Sequence, residues 1–178
     1  KCGSLDADMY GQSQPKMCGL EGYLPPGEKI DGREDIGPAM AHGVKIMSIG
    51  FVINPDDALV WRGPMATSAL KQMIHQTVWG VLDFLLIDLP PGTGDVHLTI
   101  LQEINVDGAV IVSTPQQVAV ADVVRGIYMF RSPNIDIPIL GIIENMSWFT
   151  PAELPDNRYY IFGKGGAAEL AEKEGIEL

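Results

Sequence analysis

The chain is poor in positive charge: 12 Lys and Arg stand against 23 Asp and Glu in 178 residues, a formal net charge of −11. Binding along a nucleic-acid backbone needs clustered basic side chains, so this balance excludes nucleic acid as the main partner. The acidic surface bears on solubility rather than on fold. Cysteine is scarce too. Cys2 and Cys18 form neither a disulfide framework nor a C-x-x-C metal site, and read as two ordinary thiols in a reducing compartment. No apolar run approaches the ~20 residues of a membrane span, and the first residues lack the order of a signal peptide. These absences together lead to the expectation of a cytoplasmic protein. His42, His75 and His97 lie too far apart for ligand spacing, and the eight methionines are scattered like core filler.

Hydrophobic residues make up 46% of the chain, enough for the core of one domain over residues 1–178. Apolar runs near Cys2–Asp6, Val44–Ile49, Asp83–Asp88, Gly108–Ser113 and Ile137–Ile143 read as strands. Between them, Ala66–Thr77, Asp95–Ile104, Gln117–Arg131 and Gly166–Glu174 carry apolar residues three and four apart, the spacing of helices with one buried face. Such alternation predicts an α/β fold with a doubly wound, mainly parallel sheet. Residues 19–42, rich in Gly, Pro and Asp, read as irregular surface loop. Pro151 and Pro155 make Phe149–Tyr160 irregular as well.

The most informative stretch is Leu85–Asp95, an apolar strand that ends in Asp88 and opens into Pro90-Pro91-Gly92-Thr93-Gly94-Asp95 before a helix. Ligands of open α/β sheets bind beyond the carboxyl ends of the strands, so Asp88 stands where a magnesium-bound water can be held, as in a Walker B strand with its switch loop. The plainer alternative is a strand whose Asp caps the next turn. Asp6 and Asp8 end another apolar stretch, so acids from two strand ends can converge on one ion and one water, the positioning on which phosphoryl transfer depends. Taken alone, this pair also fits an Asx-type turn. One expected part is missing: no G-x-x-x-x-G-K-[ST] loop occurs. Gly163-Lys164-Gly165-Gly166 has the wrong spacing and no preceding strand, and reads as a turn and helix entry. Because Lys1–Asp6 starts inside a strand, further sequence is expected upstream.

Five runs, LDADMYGQSQP (Leu5–Pro15), MSIGFVINPDDALVWRGPM (Met47–Met65), LIDLPPGTGDVHLT (Leu86–Thr99), VSTPQQVAVAD (Val112–Asp122) and ENMSWF (Glu144–Phe149), closely resemble the Mrp group of P-loop ATPases. These relatives of MinD and ParA serve as iron–sulfur cluster carriers, and the resemblance runs in order along nearly the whole chain. It implies a P-loop NTPase fold of the deviant Walker A kind, incomplete here at both ends. It also implies a homodimer that couples ATP and Mg2+ to cluster assembly or transfer to apo-proteins. By position, the resemblance puts Asp6 in the outer shell of the magnesium, gives Asp8 the orienting of the attacking water, and makes Asp88 the acid that holds a magnesium-bound water. It assigns Gly92 and Asp95 to the loop that senses the γ-phosphate, Pro115 to the border of the base and Asn145 to the adenine edge. Asn145 as a turn residue and Pro115 as a strand terminator are the plainer readings.

Two departures from the family pattern matter. The family's phosphate loop with its two lysines would precede Lys1, so this chain alone is expected neither to hydrolyse ATP nor to be stable as a monomer. Many relatives also carry a C-x-x-C after the ENM motif, where this chain has Thr150–Asn157 and no thiolate to hold a cluster. That difference leaves open a nucleotide-dependent switch or scaffold of the MinD/ParA kind, without a cluster. Arg62, in Trp61-Arg62-Gly63-Pro64, reads either as a nucleotide or partner contact or as a surface arginine.

Overall fold

The computed structural model describes residues 1–8, 11, 13–30, 33–52 and 64–178. The readings made for Arg62 and Met9 lie outside the described residues. The chain forms two compact units, residues 1–104 and 105–178.

The first unit runs β1 (Cys2–Asp6), α1 (Gln14–Met17), β2 (Gly27–Ile30), β3 (Arg33–Ile36), β4 (Ala39–Ala41), β5 (Val44–Ser48), α2 (Pro64–Gln76), β6 (Phe84–Asp88) and α3 (Asp95–Glu103). Its main sheet has the order β4-β5-β1-β6, with β1 parallel to both β5 and β6 and only β4 antiparallel. Parallel pairing needs a crossover connection, and here β1 lies between the later strands β5 and β6. Leu5, Ile46, Met47 and Ile49 pack against Met73 of α2, and Ala7, Leu70 and Ile100 join α2 to α3. Leu5 and Met47 are fully buried, each contributing about 1.5–3 kcal/mol of apolar transfer free energy.

The second unit holds β7 (Ala109–Ser113), α4 (Gln117–Phe130), β8 (Ile139–Glu144) and α5 (Gly166–Glu174). β7 and β8 pair in parallel, and Ile111 and Ile142 pack with Ile127, Leu170 and Ala171 of the two helices. The segment Phe149–Tyr160 is irregular, as the prolines predict, apart from one bridge between Phe149 and Tyr159.

The mixed α/β fold with mainly parallel pairing follows the sequence expectation, and α5 occupies the span read from its periodicity. Residues 19–42 do not. They contain the antiparallel hairpin β2–β3, in register from Gly27↔Ile36 to Ile30↔Arg33, and then β4 on the edge of β5. GEKI and REDI show no apolar alternation, so the hairpin's backbone ladder has no counterpart in the hydrophobic pattern. In β4 the alternation spans only buried Ala39 and exposed Met40, too short to register.

Candidate functional site at the strand ends

Three parallel strands of the first unit finish level with one another, Asp6 standing opposite Ser48 on β5 and opposite Asp88 on β6. The backbone N–H of Ala7 donates to the Asp88 carbonyl at 2.9 Å, locking the two strand ends together. Asp6 is buried, at 1% exposure. Its Oδ2 accepts from the Ser48 hydroxyl at 2.8 Å and its Oδ1 from the Asp8 N–H at 3.2 Å. Ser48 Oγ in turn accepts from Gly50 N–H at 3.1 Å, so its own proton is free for Asp6. Burial pushes the Asp6 carboxyl above its ordinary 3.8, the Ser48 and Asp8 donors oppose the shift, and the Asp88 and Asp8 charges add to it.

Asp8 follows two residues on and accepts the Gly11 N–H at 3.0 Å, closing a tight turn. A Cβ at position 11 would lie 2.7 Å from Asp8 Oδ2, so glycine lets the turn close onto the carboxylate. Through its own N–H, Asp8 is tied to the Asp6 carboxylate. Asp88 is exposed, and its Oδ2 accepts from Gln14 Nε2 at 3.1 Å.

Beyond Asp88, Gly92 has φ of 97°, a conformation that strains any residue with a side chain. Asp95 opens α3, where a negative charge suits the helix N-terminus. Two residues on, His97 is 4% exposed. Burial lowers its pKa below 6.5, the Pro90 and Gly94 carbonyls partly offsetting this, so a neutral imidazole underlies the loop.

In the second unit the Asn145 N–H donates to the Ser113 carbonyl at 2.7 Å, joining the ends of β8 and β7, and its Oδ1 accepts from Met146 N–H at 2.9 Å. Thr114 Oγ1 is buried without a hydrogen-bond partner among the described residues, a spare polar group beside Pro115. The Glu144 carboxylate accepts from the Ala167 and Ala168 N–H groups at 2.8 and 3.4 Å, capping α5. Pro115 sits against the start of that helix: a Cβ on Gly166 would fall 2.2 Å from its carbonyl oxygen.

The structure thus gathers Asp6, Asp8 and Asp88 at one sheet edge, with Gly92 and Asp95 in the loop leaving β6, and puts Pro115 and Asn145 at the ends of β7 and β8. Ser48, Gln14, Glu144 and Gly166 were not singled out as site residues from sequence. Only a register between distant strands reveals Ser48. Among the described residues no group of three or more His, Cys, Asp or Glu forms a metal cage. Magnesium keeps several waters and binds through one or two carboxylates plus substrate phosphates, so an exposed Asp88 backed by Asp6 suits it. Cys2 and Cys18 are both free thiols.

A family model described as NUBPL iron-transfer P-loop NTPase matches residues 1–178. An iron–sulfur cluster carrier protein of Synechocystis is 46% identical over 99% of this chain and 49% of its own length. The solved nucleotide-binding protein of Archaeoglobus fulgidus, in complex with ADP, is 40% identical over 99% of this chain and 66% of its own, with a TM-score of 0.78. The septum site-determining protein MinD of Pyrococcus horikoshii, complexed with Mg-ADP, shares the fold at 17% identity over 81% of this chain and 57% of its own, with a TM-score of 0.56. The chain spans about half the length of the carrier relatives it matches.

Proposed function

Because this chain belongs to the family of NUBPL iron-transfer P-loop NTPases, we propose that the protein binds ATP with Mg2+ and uses the nucleotide state to deliver an iron–sulfur cluster to apo-proteins. The observation that supports this best is the level ending of β1 and β6, which puts the acids Asp6 and Asp88 side by side with the Asp8 turn directly after. Carboxylates so placed do no covalent chemistry. They position water and charge around a transferring phosphoryl group.

In this reading Asp88 holds a water of the magnesium. Bound magnesium supplies charge neutralisation on the phosphate oxygens. Asp8, fixed by Gly11, orients the attacking water. Asp6 is held by Ser48 and anchors the Asp8 N–H, so its first task is to set the direction in which the chain leaves β1. Gly92 and Asp95 sense the γ-phosphate, Pro115 borders the base, and Asn145 reads its edge. The family match spans both units, which supports taking residues 1–178 as one nucleotide-binding domain. We take the protein to act as a cytoplasmic homodimer; among the described residues no helix is long and apolar enough to cross a membrane.

The cluster is cargo, and residues 150–157 offer it no cysteine. That observation favours a second reading, a nucleotide-dependent switch of the MinD/ParA kind that carries no cluster. Anaerobic reconstitution of the intact protein with iron and sulfide, followed by metal analysis and visible absorption, separates the two. Cluster binding with nucleotide-dependent transfer to an apo-protein is expected. A protein that binds nucleotide but retains no iron would replace the carrier reading with the switch.

A further inference from the structure

Two hydrogen bonds link the middle of β1 to the end of β6 through one side chain outside the sheet. The Ser4 hydroxyl donates to Gln14 Oε1 at 2.9 Å, and Gln14 Nε2 donates to Asp88 Oδ2 at 3.1 Å. The first bond orients the second: with its oxygen taken by Ser4, the amide turns its N–H toward the carboxylate. Gln14 begins α1, and the next residue, Pro15, is buried. Gln14 thereby holds Asp88, which faces Asp6 in the sheet, while Asp8, two residues after Asp6, accepts the Gly11 N–H.

Asp88 is exposed, and Gln14 is its one side-chain hydrogen-bond partner among the described residues. An exposed carboxylate with no such donor rotates among several orientations. A donor fixed on Oδ2 holds one orientation and leaves Oδ1 as an acceptor for a further hydrogen bond. We propose that Gln14 is a positioning residue for Asp88, fixing its carboxylate to receive a magnesium-bound water and coupling occupancy there to the Asp8–Gly11 turn. This rests on the magnesium–nucleotide reading above. Partners that orient a metal-site carboxylate typically contribute 10–100-fold in metal affinity.

The test measures binding of a fluorescent ATP analogue to the intact protein, titrated with Mg2+ and separately in EDTA. Gln14→Ala, and Gln14→Met, which keeps the length but removes the donor, should each raise the Mg2+ concentration required by about tenfold. Affinity in EDTA should stay unchanged. Ser4→Ala should give a smaller shift in the same direction, and adding it to Gln14→Ala should cost nothing more, since both act through one relay. Magnesium nucleotide should slow amide exchange over residues 11–18 in the wild type and not in the Gln14 variants. A Mg2+ requirement equal to wild type in both Gln14 variants overturns the proposal, and so does a loss of affinity as large in EDTA as in Mg2+, which marks a purely structural strut. A wild type whose binding ignores Mg2+ overturns the nucleotide reading itself, and this inference with it.

Discussion

Asp6 carries a cost that its neighbours only partly offset. Burial holds its carboxyl above the ordinary 3.8. In the unfolded chain the group ionises near that value, so from there up to its folded pKa the folded state binds more protons. Stability therefore falls as pH rises through this window. Asp6→Asn keeps one acceptor oxygen, for the Asp8 N–H, turns its NH2 toward Ser48 Oγ as donor and removes the buried charge. It should raise stability at pH 7 by about 1 kcal/mol and change it little near pH 4. Urea unfolding at the two pH values measures this, and a large loss at pH 7 would show that the carboxylate itself holds the strand ends together. His97 acts in the opposite sense. Its folded pKa lies below 6.5, so the stability it contributes is present above that value and is lost as pH falls through the window beneath it.

Among the elements, the contact between α5 and the end of β7 has the least room. Gly165 has φ of 74°, and a Cβ on Gly166 would overlap the Pro115 carbonyl at 2.2 Å, a backbone atom that moves only with its loop. Gly166→Ala should destabilise the protein by about 2–3 kcal/mol and displace residues 114–116. Thermal unfolding together with the amide NMR shifts of Thr114 and Gln116 reports both effects; wild-type stability with unmoved shifts would contradict this packing. Such contacts also show where the sequence stops being legible. The five main strands could be read as apolar runs, four of them ending on Asp or Ser, and the four longer helices by apolar residues three and four apart. The strand-end acids could be read for the same reason, since Asp6 and Asp88 terminate apolar runs. The hairpin β2–β3 could not, because GEKI and REDI carry no apolar alternation. Helix α1 has four residues, too few to display a period, so nothing local marks Gln14. The Ser48 contact to Asp6 spans 42 residues and the Gln14 contact to Asp88 spans 74. Both depend on which strands become neighbours, a matter decided by the whole sheet.

At the scale of each unit taken by itself, strands paired on one side carry exposed apolar residues. Among the described residues β6 pairs only with β1, and β7 only with β8. Phe84 and Leu86 on β6 are 70% and 62% exposed, and Val110 and Val112 on β7 are 54% and 58% exposed. Parallel strands are ordinarily buried on both faces, and edges of this kind invite further pairing. The function proposed is argued for a chain that spans about half the length of the carrier relatives it matches. Its central claim is that a nucleotide and magnesium meet at the strand ends around Asp88. The most direct test is calorimetric titration of ATP into the intact protein, with Mg2+ and with EDTA, for the wild type and for Asp88→Asn. Wild-type binding should strengthen with Mg2+, Asp88→Asn should lose at least about tenfold of that gain, and the two proteins should match in EDTA. Equal binding by both proteins in Mg2+ would contradict the assignment of Asp88 and leave the strand-end acids as structural features alone.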